Sequence, residues 1–598
     1  MKNTFIFLLI ATIIITMKMA AADTAIQNPS ARASISLDGK WDVIVDPYEN
    51  GYYNHRYEES DSGYFRNAKP NSPGDLVEYN FATSPKLNVP GDWNTQDDKL
   101  FWYEGTIWYH RDVELNAETT RQYLLYFGAV NYKAIVYVNG RKAGSHEGGF
   151  TPFQFDISAL IRNGTNSIVV KVDNRRERDQ VPTVNTDWWN YGGITRSVKI
   201  LTVPQQHIDD YLVQLDHNHS DVITGWVHVT HTDTTSHQQV ALNIPELHIN
   251  EQVVIGADGV AKFSIHAKPT LWSFENPKLY TVKLQNGGEV IEDQIGFRTI
   301  AVSGEDILLN GKPVFLKGIS IHEESPLHPG RAWSDEDAEQ LLTWARELGC
   351  NYVRLAHYPH NETMLRMADK MGLMVWSEIP VYWTVMFDNP AVYDKAELQL
   401  REMITRDKNR ASIVLWSIAN ETPNSAERLK FLTRLIQAAR TLDSSRLITA
   451  AMDTQSDDHG SKVIDDPLAS QVDVIGINTY CGWYSGTPES CASLKWISHY
   501  HKPAIVSEFG ADALQGMHGD KQQRFTEEYQ AEVYKQNLLM LDQMSFLRGV
   551  SPWILKDFRS PRRPLSGIQD YWNRKGLISD KGIKKQAWYV LQDYYRKK

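Results

Sequence analysis

The chain has 598 residues, a length that predicts about three to five domains rather than one compact fold. Hydrophobic residues make up 42% of the chain and charged residues 23%, which is typical of a soluble globular protein and excludes collagen-like, coiled-coil and wholly disordered chains. The formal net charge of -11 gives no general attraction for phosphate backbones, and no basic patch stands out, so no nucleic-acid partner is expected.

Residues 1–22 have the pattern of a signal peptide. Lys2 precedes an apolar run from Thr4 to Met17, and the small residues Ala20–Ala22 follow, so we expect cleavage near Ala22 and export to the periplasm or beyond the cell. A retained membrane anchor is the alternative, but the run is interrupted by Lys18 and is shorter than the roughly 20 residues that a span requires. No later segment predicts a membrane span.

Two all-β domains are predicted before residue 301. Residues 23–204 carry short alternating strands such as Ala134–Val138 and Ser167–Val172, which indicate a β-sandwich. Residues 205–300 continue in that style with fewer strands, at a size that suits an immunoglobulin-like sandwich.

From residue 301 to 598, strands alternate with helices, which predicts a (β/α)8 barrel. A helix is expected after Ser334, because Ser334 and Asp337 form a capping pattern and Gly349 suits the C-terminal end. The eight candidate strands are Val314–Lys317, Tyr352–Leu355, Leu373–Trp376, Ile413–Trp416, Leu447–Ala450, Val472–Ile477, Ala504–Val506 and Gly549–Trp553. An active site in such a barrel lies at the carboxyl ends of these strands.

Two glutamates follow opposite strands of the predicted barrel. Glu421 comes after the fourth strand with Asn420 beside it, and Glu508 comes after the seventh. Carboxylates at these positions face each other across the barrel mouth, which is what an acid/base and a nucleophile require. A single glutamate is most often a solvated surface charge, but their shared position at strand ends favours a catalytic pair.

These residues resemble those of glycoside hydrolase family 2. The segments Asn190–Arg196, Gly296–Arg298 and Leu308–Val314 are similar to that family's motifs at the end of its first domain and at the entry to its barrel. The resemblance implies a sugar-binding jelly roll, an immunoglobulin-like sandwich and a catalytic TIM barrel. It also implies a retaining double displacement with Glu421 as acid/base and Glu508 as nucleophile. This reaction needs no metal or organic cofactor, and the sequence shows no metal-ligand cluster of the H-x-x-x-H or C-x-x-C kind.

Within the family, the resemblance to β-glucuronidases rests on Asn573 and Lys575 in an Asn-x-Lys pattern predicted to follow the eighth strand. An ammonium and an amide suit the carboxylate of a terminal uronic acid better than a neutral hexose. By the same resemblance, Tyr480 hydrogen-bonds the nucleophile, His357 and Tyr484 line the sugar pocket, and Trp553 forms an apolar wall. Asp187 from the first domain is then expected to reach a sugar hydroxyl.

Several questions stay open at this level. The segment Glu323–Trp333 departs from the glucuronidase pattern, so the leaving group is not predicted. The basic residues Arg562 and Arg563 suit either the binding of further anionic sugars or a solvated loop. The sequence does not decide whether Cys481 and Cys491 form a disulfide, or whether the chain forms a homo-oligomer. The alternative functions are a β-galactosidase or other neutral β-hexosidase of the family, and a carbohydrate-binding surface protein without catalysis.

Overall fold

The computed structural model describes residues 23–598 except for 55, 60–71, 73–78, 218 and 233–237. The predicted signal peptide, residues 1–22, lies outside the described residues. Among the described residues, no helix is long and apolar enough to cross a membrane.

The first domain is a sandwich of two antiparallel sheets. Its core holds Trp41, Trp93, Ile107 and Tyr109, each fully buried, because alternate residues of each strand point between the sheets. One sheet has the order Asp23–Thr24, Phe153–Asp156, Arg121–Phe127, Val198–Pro204, Ser34–Ser36, and the other the order Lys86–Val89, Gly39–Val45, Thr106–Leu115, Gly164–Asp173, Lys133–Val138, Arg141–Glu147.

A smaller sandwich follows, with its own core around Tyr211, Leu242 and Val282. Its two sheets contain the strands Ile208–Leu215, Val222–Val229 and Val260–His266, and the strands Ile249–Val254, Gln239–Ile244, Tyr280–Asn286 and Glu289–Ile295. A short antiparallel meander, Ile300–Ser303, Asp306–Leu309 and Lys312–Pro313, then leads into the barrel.

Eight parallel strands close into a barrel, which confirms the predicted fold class of two β-sandwiches and a TIM barrel. The strands are Leu316–Ile321, Tyr352–Leu355, Met374–Glu378, Ile413–Asn420, Leu447–Met452, Val474–Asn478, Ala504–Glu508 and Leu547–Val550. All eight residues of the fourth strand are buried, as expected where helices cover the outer face and side chains fill the interior.

The sequence placed some strand ends incorrectly. The fourth and seventh strands extend to Asn420 and Glu508, so polar residues continue strands whose apolar cores end earlier. The eighth strand ends at Val550, and Asn573 lies on a separate two-stranded sheet formed by Phe558–Arg559 and Trp572–Asn573. The Asn-x-Lys pattern of Asn573 and Lys575 is therefore carried by a long segment after the eighth strand, rather than by the end of that strand.

The helices surround the barrel. Ser334 and Asp337 form the predicted capping box, and Gly349 ends the helix with φ of 96°, a left-handed conformation that glycine adopts without a Cβ clash. The helices are Asp335–Leu348, Glu362–Met371, Pro390–Asp407, Ala426–Leu442, Pro488–Cys491, Glu527–Leu541 and Gln586–Lys597.

Buried polar contacts hold the first domain against the barrel. The carboxylate of Glu402, on the helix Pro390–Asp407, contacts His146 Nε2 at 2.9 Å and accepts a hydrogen bond from Thr151 at 2.5 Å. Arg196 of the first domain donates to Glu323 of the barrel at 3.1 Å, and both side chains are almost fully buried. Because buried charges are tolerated only when they are paired, these contacts fix how the first domain sits over the barrel mouth.

Candidate active site

Glu421 lies just past the fourth strand, where its backbone takes φ of 48°. Its two carboxylate oxygens accept hydrogen bonds from neutral donors, Asn478 Nδ2 at 2.9 Å and Trp383 Nε1 at 2.8 Å. Burial, and after it the negative charge of Glu508, raise the pKa of Glu421, the two hydrogen bonds partly oppose the rise, and the resulting pKa is about 7. A carboxyl group in these surroundings holds a proton near neutral pH, as a general acid must.

Glu508 is surrounded by different groups. Arg354 Nη1 donates to its Oε1 at 2.7 Å, and the hydroxyl of Tyr480 donates to its Oε2 at 2.5 Å. His357 Nε2 lies 3.8 Å from Oε1. The guanidinium and the phenol stabilise negative charge on Glu508, which suits a carboxylate that acts as a nucleophile.

A third carboxylate positions the groups around Glu508. Glu378, the last residue of the third barrel strand, accepts hydrogen bonds from Arg354 at 3.1 and 3.2 Å and from His357 Nδ1 at 2.7 Å. Burial alone would raise the pKa of Glu378, but Arg354 and His357 outweigh burial and hold it at about 2. Glu378 therefore stays charged and fixes the orientation of Arg354 and His357.

Asn420 joins the two glutamate sites. Its Oδ1 accepts from Arg354 Nη2 at 2.7 Å and from Asn478 Nδ2 at 3.3 Å, so one amide contacts the partners of both Glu508 and Glu421. Its Nδ2 is buried and has no acceptor among the described residues. A buried donor without an acceptor is rare in a native protein, and beside two carboxylates it indicates a place for a ligand hydroxyl.

Lys575 is buried in the same region. Its Nζ forms an ion pair with Asp512 Oδ1 at 2.8 Å, and no other acceptor for its three N–H groups is found in the described part of the chain. The Lys575 ammonium also lies 5.9 Å from the ring centre of Tyr480 and 5.1 Å from that of Tyr484. Burial would raise the pKa of Asp512, but Lys575 and Arg563 lower it.

Asp187 enters this region from the first domain. Its carboxylate accepts hydrogen bonds from Ser560 at 2.6 Å, from Asn573 at 3.3 Å and from Arg563. Arg563 also donates to the hydroxyl of Tyr484 at 3.2 Å. Asp187 and Asn573 are therefore neighbours, although Asp187 belongs to the first domain and Asn573 to the long segment after the eighth barrel strand.

Aromatic side chains form the walls. The Trp553 ring stacks on His357 with ring centres 4.7 Å apart, and Trp188 of the first domain packs 5.7 Å from the same imidazole. Tyr484 is 58% exposed, whereas Trp553 is buried. A disulfide joins Cys481 to Cys491, with Cα atoms 5.7 Å apart, and braces the loop between Tyr480 and Tyr484.

Three family models cover nearly all of the described chain. The sugar binding domain of glycosyl hydrolases family 2 matches residues 35–204, a second model described as glycosyl hydrolases family 2 matches residues 206–298, and the family's TIM barrel domain matches residues 300–597. The chain belongs to glycosyl hydrolase family 2.

Relatives in glycosyl hydrolase family 2 extend over the same length. The β-glucuronidase of Sus scrofa is 30% identical over 573 residues, which are 86% of this chain and 84% of that protein. The β-glucuronidase from Ruminococcus gnavus in complex with D-glucuronic acid is 27% identical with a TM-score of 0.78, covering 96% of this chain and 99% of that one. Bifidobacterium dentium β-glucuronidase complexed with coumarin-3-O-glucuronide is 26% identical with a TM-score of 0.80 over the same shares.

The structure brings all ten sequence-predicted site residues to one end of this family 2 barrel. It also adds partners that the sequence did not single out: Arg354, Glu378, Trp383, Asn478 and Asp512. Arg563, whose role the sequence left open, pairs with Asp187. Arg354, Glu378 and Asn478 stand at the carboxyl ends of barrel strands, so inspection of every polar residue at such an end would have found them. Nothing in the local sequence marks Trp383 or pairs Asp512 with Lys575.

Proposed function

We propose that this chain is an exo-acting retaining β-glucuronidase that releases β-linked glucuronic acid from a glycoside or oligosaccharide. Glu508 attacks the anomeric carbon while protonated Glu421 donates its proton to the glycosidic oxygen, and the leaving group departs. Water then attacks the glycosyl ester of Glu508, with Glu421 accepting the proton. Two displacements retain the anomeric configuration.

The contrast between the two glutamates supports these roles. Glu421 has a raised pKa near 7 and neutral hydrogen-bond donors, which suits an acid that must be protonated before the first step. Once Glu508 becomes an ester its negative charge disappears, and this lowers the pKa of Glu421 at the moment when a base is needed. Glu508 receives the cationic donor Arg354, which suits the nucleophile.

The observation that carries the substrate assignment is the buried ammonium of Lys575, whose only close acceptor among the described residues is Asp512. Asp512 balances its charge and can accept one of its three N–H groups, and the others have no acceptor among the described residues. A uronic acid carboxylate beside Asn573 would supply that acceptor, whereas a neutral hexose offers only a hydroxyl. The D-glucuronic acid and the coumarin-3-O-glucuronide bound by two solved relatives agree with this assignment.

A matched pair of lysines allows a direct test. Lys585 forms a second buried ion pair, with Asp557 at 2.8 Å, but its ammonium also donates to the carbonyls of Ala513 and Arg574 and is fully satisfied by the protein. We expect Lys575→Met to lose about 2 to 5 kcal/mol of transition-state stabilisation on aryl β-glucuronide, and far less on aryl β-glucoside and β-galactoside. Lys585→Met should lower thermal stability without changing the ratio of these rates.

The measurement is kcat/KM for the three aryl glycosides in wild type and both variants. The double variant Lys575→Met/Asp512→Asn is included, because Lys575→Met alone leaves a buried carboxylate without its cation. A wild type that prefers galactoside would make the chain a neutral hexosidase, and hydrolysis of none of the three would favour a binding protein. Equal losses of kcat/KM on all three substrates in the Lys575 variants would remove the main support for a uronic acid as the substrate.

Export to the periplasm or beyond the cell is part of the same proposal. The signal-peptide pattern of residues 1–22 supports it, and the disulfide between Cys481 and Cys491 is of the kind that persists in oxidising compartments. Fractionation of cells that produce the full chain, with N-terminal sequencing of the mature protein, tests it. A protein retained in the cytoplasm with residues 1–22 intact would contradict it.

A further inference from the structure

Arg562 and Trp383 form a pair beside the proposed acid. The Trp383 indole donates to Glu421 Oε2 at 2.8 Å, and the Arg562 guanidinium lies 4.9 Å from the centre of the Trp383 ring. The proposed acid must contact the glycosidic oxygen, so the leaving group has to lie next to Glu421. Trp383 and Arg562 are therefore placed on the leaving-group side of the bond that breaks.

The charge of Arg562 is not neutralised, in contrast to that of its neighbour. Arg563 is paired with the Asp187 carboxylate. Arg562 is exposed, and within the described ranges its side chain contacts only neutral groups, the Asn185 amide and the Trp383 ring.

The position of Arg562 is fixed in advance. Its backbone N–H donates to Ser560 Oγ at 3.2 Å, and that hydroxyl in turn donates to Asp187 at 2.6 Å. The side chain is held by its hydrogen bond to Asn185 and by the indole face. An ordered guanidinium loses less conformational entropy when it binds an anion, and its planar donors match a carboxylate or a sulfate with two parallel hydrogen bonds.

We propose that Arg562, seated on Trp383, forms a leaving-group subsite that selects substrates whose leaving group carries a negative charge, a sulfate or a carboxylate. This inference rests on the proposed function, because it uses Glu421 as the proton donor. The anion is carried either by a second sugar residue or by an aromatic aglycone, and both present the same chemistry to Arg562. The indole face adds an apolar surface for the ring that bears the anion.

The test compares substrates that differ only in charge on the leaving group. One pair is 4-methylumbelliferyl β-glucuronide with and without a sulfonate on the coumarin, and the other is a β-glucuronosyl disaccharide whose second sugar is neutral or sulfated. Each is measured as kcat/KM in wild type, Arg562→Gln and Arg562→Lys. Differences in leaving-group ability cancel, because each substrate is compared with itself across the variants.

Arg434→Gln is the matched control. Arg434 lies on the helix Ala426–Leu442, is exposed, and stacks on Tyr393 with its guanidinium 3.4 Å from the ring centre. This control removes the same charge and the same kind of aromatic contact away from Glu421. We expect Arg434→Gln to leave the ratio of anionic to neutral substrates unchanged.

Arg562→Gln should lower kcat/KM on the anionic substrates about tenfold and on the neutral ones less than twofold, since charge-assisted hydrogen bonds are lost only with the anion. Arg562→Lys should retain part of the preference for anionic over neutral leaving groups. Added salt should reduce this preference in the wild type. An effect confined to one substrate pair would identify the source of the anion and still support the subsite.

Equal losses on neutral and anionic substrates would overturn the subsite, because Arg562 would then act only by supporting Trp383 and Glu421. No loss on any substrate would overturn it as well. If the wild type cleaves galactosides rather than glucuronides, the proposed function is wrong, and the same charged and neutral leaving groups on galactose decide the subsite separately. A wild type without any hydrolysis refutes both.

Discussion

Glu421 and Glu508 are the same residue type at equivalent positions of one barrel, yet their surroundings differ in charge. Glu508 receives a hydrogen bond from the Arg354 guanidinium, which Glu378 holds in place, whereas Glu421 receives only an amide and an indole. Burial is not offset by a cation at Glu421, and its pKa rises to about 7. The charge of the nearest donor, rather than depth in the barrel, separates the two proposed roles.

The largest effect should come from removing the nucleophile. Glu508→Gln keeps the shape of the side chain but cannot form the glycosyl ester, so we expect kcat to fall by at least about 10⁴-fold on every aryl glucuronide. A good leaving group should not rescue the variant, because a proton donor is not what it lacks. Rescue by dinitrophenyl glucuronide would contradict the assignment of Glu508.

Removing the acid should give a loss that depends on the leaving group. Glu421→Gln is expected to lose about 10² to 10⁴-fold on substrates with poor leaving groups, and much less on the glycosylation step of dinitrophenyl glucuronide. With Glu421→Ala, added azide should yield a β-glycosyl azide, since a small anion attacks the ester of Glu508 without a base. An α-configured product, or equal rescue of both glutamate variants, would contradict the assignment of Glu421 as acid/base and Glu508 as nucleophile.

Tyr480→Phe tests the donor to Glu508 that carries no charge. The lost hydrogen bond reaches an ionised group and contributes about 1.5 to 3 kcal/mol, so we expect kcat to fall about 10- to 100-fold. The pH dependence of kcat/KM should keep its basic limb, because the Tyr480 hydroxyl donates to Glu508 rather than to Glu421. A shifted basic limb would mean that removing the Tyr480 hydroxyl also changes the pKa of Glu421.

Trp383→Phe should have the smallest effect on rate and a diagnostic effect on pH. The indole stabilises the charged form of Glu421 and lowers its pKa, so its removal should raise that pKa and move the basic limb of kcat/KM to higher pH. At neutral pH the rate should change by less than about tenfold. A limb that moves to lower pH would contradict the sign of this interaction.

The sequence predicted the class of fold and the positions of the two glutamates because both depend on local patterns. Apolar strands alternating with capped helices specify a barrel, and the barrel places strand ends at one mouth. The partners that distinguish the glutamates are not local. Arg354 meets Glu508 across 154 positions, and Asp187 meets Arg563 across 376.

Arg562 and Arg563 show where prediction from local sequence fails. The two residues are adjacent and indistinguishable in sequence, and the sequence allowed either a sugar-binding site or a solvated loop for both. In the folded chain one is neutralised by a carboxylate of the first domain and the other is exposed against an indole. Which arginine finds a carboxylate is decided by how the first domain docks, and no pattern within the run contains that information.

The docking of the first sandwich also constrains how such a protein can change by recombination. Ser560 and Asp187, separated by 373 positions, share one hydrogen bond in the pocket, and Tyr191 donates to the buried Glu324 across 133 positions. An exchange of the first domain alone would remove first-domain donors from buried barrel carboxylates and one wall from the pocket. The sandwich is thus not a portable sugar-binding module, and new specificities in this architecture are expected to arise by paired substitutions in both domains rather than by domain shuffling.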